Sequence, residues 1–82
     1  MNEKWTVKAY KDFFAKFGEV VNIEPQGAEV FHVWINRHDI TLGWLKALEK
    51  ELKKHNLRIF NFRAAPCIDA NVLQIALVIT PR

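Results

Sequence analysis

A chain of 82 residues builds one hydrophobic core that buries roughly 60 to 65 % of its unfolded surface, so a single domain over residues 1–82 is expected. Half of the residues are apolar, 26 % are charged, and only three are Gly and three Pro, which excludes a disordered or fibrous chain. A net charge of +3 admits anionic partners without demanding them, because acidic residues from Glu3 to Asp69 are scattered among the basic ones.

The apolar runs fall far short of the roughly 18 to 20 residues that cross a bilayer, and MNEKWTVKAYK lacks the apolar middle of a secretory signal. The expectation is a soluble, cytoplasmic protein without a membrane partner. A lone Cys67 forms no internal disulfide and reads as a small turn residue, since no base or metal-ligand motif flanks it.

In chain order, Thr6 reads as an N-cap, and Tyr10, Phe13, Phe14 and Phe17 follow at i, i+3, i+4 and i+7 before Gly18, the expected C′ residue. EVVNIE and EVFHVWIN then alternate around a turn at Pro25 to Ala28, the pattern of a β-hairpin. Asp39 or Thr41 caps a second helix with Leu45, Leu48 and Leu52 as its apolar stripe. Trp44 beside that stripe covers the edge of the core or joins an interface. Lys53, Lys54 and His55 suit the negative end of that helix, and Asn56 suits a left-handed stop. LRIFNFRAA and NVLQIALVIT, joined by PCIDAN, predict a second hairpin.

The order αββαββ predicts an α+β fold, a four-stranded, mainly antiparallel sheet with both helices on one face. Strands two and four are the most apolar and belong in the centre, which sets the strand order 3-4-2-1. This inferred topology resembles a ferredoxin-like sheet, permuted so that its first strand stands at the C-terminal end. A resemblance of topology implies no function.

RIFNFR, Arg58 to Arg63, decides which face each side chain of strand three occupies. Burying Phe60 and Phe62 gains about 1.5 to 3 kcal/mol each, whereas burying Arg63 unpaired costs several kcal/mol. Strict alternation therefore turns Phe60, Phe62 and Ala64 inward, to meet Val21, Ile23, Phe31, Val33, Ile35, Leu73, Ile75, Leu77 and Ile79. It turns Ile59, Asn61 and Arg63 outward. The helix-free face would then carry Val30, His32, Trp34, Asn36, Gln74, Ala76 and Val78, with Ile59, Asn61 and Arg63 on one flank and Val20 and Asn22 on the other.

An uncovered tryptophan among Val, Ile and Ala, rimmed by Asn, Gln and Arg, has the composition of a binding patch. His32, Trp34, Asn36, Ile59, Asn61, Arg63, Gln74 and Val78 are the candidate partner-binding residues. The bland alternative has Lys and Arg stems and an N-terminal arm with Trp5 lying over part of this face.

The sequence contains no paired carboxylates, Cys-His pair, metal-ligand spacing or glycine-rich phosphate loop, so neither an enzyme nor a cofactor or metal site is expected. Arg37 and His38 read as solvated loop residues and Asp39 as a cap. The expectation is a non-enzymatic protein-interaction module, self-associating or binding another protein through the open face or an edge strand. The alternative is a single-stranded RNA or DNA binder, with Trp34 and His32 stacking bases and Arg37, Arg58 and Arg63 meeting phosphates. RIFNFR resembles the aromatic segment of an RNA-recognition motif. Ile59 stands at that motif's glycine, however, and inward phenylalanines would not stack bases.

Overall fold

The computed structural model describes residues 6–27, 29–67 and 71–82. Trp5, Ala28 and residues 68–70 lie outside the described residues, and with them the expected N-terminal arm and the middles of the two hairpin turns. The elements run α1 (Val7–Phe14), β1 (Glu19–Pro25), β2 (Phe31–Arg37), α2 (Leu42–Lys54), β3 (Leu57–Cys67) and β4 (Val72–Pro81).

Both helices begin on a threonine. Thr6 Oγ1 accepts from Ala9 N–H and Thr41 Oγ1 from Trp44 N–H, each at 3.1 Å, which satisfies donors that a helix start leaves orphaned. Thr41, not Asp39, is the cap of α2. At its far end Asn56 takes the left-handed conformation (φ 57°) that stops a helix. The first helix ends at Phe14, and Phe17 N–H donates to Phe14 O at 2.9 Å. Phe17 thus sits in a tight turn and packs against the core from there.

The four strands form one antiparallel sheet in the order β1-β2-β4-β3, the expected 3-4-2-1 read from the other edge. Tyr10, Phe13 and Phe14 of α1, Trp44, Leu48 and Leu52 of α2, and Val33, Ile35, Ile75, Leu77 and Ile79 of the central strands share one buried cluster. Both helices therefore cover the same sheet face. Burial pushes the Tyr10 phenol up to about 12, with the Glu29 carboxylate adding to the rise.

Two β-bulges overturn the expected register of the edge strands. In β3, Ile59 pairs with Ile79 but Asn61 pairs with Val78, so Phe60 is an extra residue. Ile79 is buried under the helices, and its partner Ile59 packs there too. Phe60 is 65 % exposed. Phe62 pairs with Leu77 on the helix side but remains 36 % exposed at the sheet edge. The inward expectation thus fails for Phe60 and holds only partly for Phe62. It assumed unbroken alternation, and one inserted residue resets parity while keeping Arg63 outside.

A matching shift lies between Val20 and Asn22 of β1. Val20 packs against the core whereas Val21 is 47 % exposed, the reverse of the expected pair. The second hairpin also differs from expectation. Pro66 and Cys67 belong to β3, opposite Leu73 and Val72, and are not turn residues.

Gly18 has an ordinary backbone and is no left-handed cap. A Cβ there would meet Ile35 Cγ2, and would lie 2.9 Å from Arg37 Cγ and 3.1 Å from the Asn36 carbonyl oxygen. Its role is close approach of the α1–β1 connection to β2. Gly18→Ala should cost about 1 to 3 kcal/mol, since backbone and packed side chains must shift. An unchanged urea midpoint would show that the connection has room to move.

Candidate interaction surface on the helix-free sheet face

Cross-strand partners in an antiparallel pair share a face, so the uncovered side is read row by row. The first row runs Glu24, His32, Val78, Asn61, and the second Asn22, Trp34, Ala76, Arg63. The third runs Glu19, Asn36, Gln74, Ala65, with Arg58 and Thr80 paired beyond the first. Of the candidate residues, His32, Trp34, Asn36, Asn61, Arg63, Gln74 and Val78 share this face. Ile59 does not, because the bulge turns it toward the helices.

Phe60 stands in its place. The Arg58 guanidinium lies over the Phe60 ring at 5.6 Å, and Arg58 Nε donates to Thr80 Oγ1 at 3.3 Å. Both contacts put the ring on the helix-free side. Val21, the extra residue of the other bulge, flanks the opposite edge. The centre is the His32–Trp34 edge-to-face pair, ring centroids 5.7 Å apart, beside Ala76 and Val78.

Charge on this face is sorted by strand. Glu19 and Glu24 stand on β1, Arg58 and Arg63 on β3, and the two central strands place no Asp, Glu, Lys or Arg on this face. Asn36 Nδ2 donates to Glu19 Oε1 at 3.4 Å, while Asn36 Oδ1 is shielded from solvent and accepts no hydrogen bond. A shielded acceptor without a donor is costly, so this amide is a local weak point of the monomer.

Arg37 proves not to be a solvated loop residue. As the last residue of β2 it points to the helix side, where Nη1 donates to Phe17 O at 2.8 Å and Nε to Asp39 O at 3.0 Å. Its Nη2 meets Asp39 Oδ1 at 3.3 Å, and its guanidinium lies 4.7 Å from the Trp44 ring centroid. Trp44 is buried, with Nε1–H donating to Phe17 O at 2.9 Å. Asp39 therefore binds Arg37 rather than capping α2, and Arg37 is unavailable to phosphates on the sheet face.

On the helix side α1 and α2 flank a cleft of about 560 Å³, lined by Phe13, Lys16, Phe17, Lys50, Glu51 and His55 among others. The hydrogen bond from Lys54 holds the Glu51 carboxyl below its ordinary value. Among the described residues, no three metal-ligating side chains cluster and no helix is long and apolar enough to cross a membrane.

Sequence reasoning missed Glu19, Glu24, Val21 and Phe60 as residues of this face. A signal was present: each like-charged pair, Glu19/Glu24 and Arg58/Arg63, is five residues apart. Such spacing shares a face only if one residue is inserted between. Comparison with protein-family models, curated proteins and solved structures finds no match.

Proposed function

We propose that the chain is a non-enzymatic, cytoplasmic protein-interaction module that docks a protein partner on its helix-free sheet face, with Trp34 as the anchor. The observation that carries this reading is Trp34, half-buried at the middle of the helix-free face, with Ala76 and Val78 beside it and charge confined to the flanks. Such an apolar centre with a polar rim is the composition of a protein interface. The edge strands suit pairing less well, because both carry bulges, Pro25 ends β1 and Pro66 stands next to the last residue of β3. We further read the helix–strand–strand repeat with order 1-2-4-3 as a permuted ferredoxin-like arrangement, which brings no activity with it.

Single-stranded nucleic acid is the second reading, favoured by Phe60, Trp34 and two arginines on one face. It is weakened by Glu19 and Glu24 on the far flank, which repel a phosphate backbone crossing the sheet. Fluorescence titration with mixed-sequence single-stranded oligonucleotides separates the two. Dissociation constants weaker than about 100 μM near physiological salt, unchanged by Trp34→Ala, are expected of a protein-binding face. Submicromolar binding that is lost in Trp34→Ala and falls steeply between about 50 and 200 mM salt would transfer the face to nucleic acid.

A further inference from the structure

Resting on that reading, we infer that the partner is a second copy of this chain, packed face to face about a twofold axis that runs along the strands. A dyad in that direction sets β1 of one copy above β3 of the other and β2 above β4, at unchanged height along the strands. Glu24 of one copy then falls between Arg58 and Arg63 of the other, because its row lies between theirs, and Glu19 falls on the far side of Arg63. A dyad across the strands would instead stack β1 on β1, carboxylates on carboxylates. The sorted charge therefore selects one of the two face-to-face dimers.

The neutral centre fits the same axis. Trp34 of each copy comes to lie over Ala76 of the other, a large side chain above a small one, and His32 comes over Val78. Asn36 comes over Gln74, two amides that can each donate and accept. The bulge residues Val21 and Phe60 sit on facing flanks but at different heights along the strands, so each meets the rim of the partner's face rather than the other bulge residue.

Four strands about 4.8 Å apart and seven residues long at about 3.4 Å each make a face of roughly 450 Å² in projection. Side-chain relief and the two bulge residues raise this toward the about 800 Å² per partner of a specific interface. A dimer in the micromolar range is the corresponding expectation. Sheets stacked about 10 Å apart leave room for one interdigitated layer of side chains.

Sedimentation equilibrium from about 1 to 500 μM, with charge variants, tests the inference. Wild-type chain should dimerise, and Trp34→Ala should weaken the dimer by at least about tenfold. Glu19→Arg with Glu24→Arg should also weaken it about tenfold or more. Adding Arg58→Glu and Arg63→Glu should bring the dissociation constant back to within about threefold of wild type. This four-site variant should refuse mixed dimers with a tagged wild-type chain, since each flank would then face its own sign. Mixed dimers, or a dimer indifferent to the two Glu→Arg changes, would overturn the axis while leaving the face in use. A dimer unaffected by Trp34→Ala would overturn the face itself. A wild-type chain still monomeric at 500 μM would overturn the second copy and leave the face to a different protein. Circular dichroism of every variant establishes that the loss is not unfolding.

Discussion

Leu77→Ala should lower the unfolding free energy by about 2 to 5 kcal/mol, through the lost transfer energy of the side chain and the cavity left behind. Leu77 is almost wholly buried, pairs with Val33 across β2 and with Phe62 across β3, and lies in the cluster shared by both helices. A central strand hydrogen-bonded on both sides cannot collapse into the gap. At urea slopes of about 1 to 3 kcal/mol/M, the midpoint should fall by at least about 0.7 M. The control is its neighbour: Val78→Ala alters the open face, where the side chain is only half-buried, and should cost under about 1 kcal/mol in the monomer. A Leu77→Ala loss below about 1 kcal/mol, or a Val78→Ala loss matching it, would contradict the assignment of faces.

Trp44→Ala should be comparably damaging, about 3 to 5 kcal/mol, because this indole ties three elements together. Its ring is buried against the core from the first turn of α2 and its N–H reaches the Phe17 carbonyl after α1. The guanidinium that ends β2 lies against its face. Trp44→Phe separates these contributions. It keeps a ring for packing and for Arg37 while removing the hydrogen bond. Phe17 O would still accept from Arg37 Nη1, so no carbonyl is stranded and the loss should be about 1 to 2 kcal/mol. Thermal or urea unfolding of the two variants measures the difference; equal losses would mean that the hydrogen bond rather than the ring carries the node.

These two positions also separate what was legible in the sequence from what was not. Leu77 lies in LQIALVI, and its apolar density alone assigns it to a central strand, since only a strand flanked on both sides rewards such composition. Trp44 was ambiguous, because helical spacing sets it beside Leu45, Leu48 and Leu52 but not whether another element covers it. Arg37 departs from the solvated-loop expectation for a related reason. Its partners, the Phe17 carbonyl and the Trp44 ring, come from segments that meet only when α1, β2 and α2 pack. Thr41 and Asp39 both fit a cap locally, and Arg37 drew Asp39 away.

The element order, the cap at Thr6, the stop at Asn56 and the strand order follow from local pattern, because periodicity, end-group satisfaction and the burial of apolar strands act within one segment or between neighbours. The two edge-strand registers do not. An unbroken strand would separate Glu19 from Glu24 and Arg58 from Arg63, turning one of each pair toward the helices at a desolvation cost of several kcal/mol. Pairing with β2 and β4 relieves this by inserting Val21 and Phe60, and the price is two exposed apolar side chains. The chain by itself therefore determined a sheet with one uncovered face and a tryptophan at its centre. Only the tertiary structure sorted acid to one flank and base to the other, because a bulge is chosen by what the strand must pair with rather than by the residues it contains.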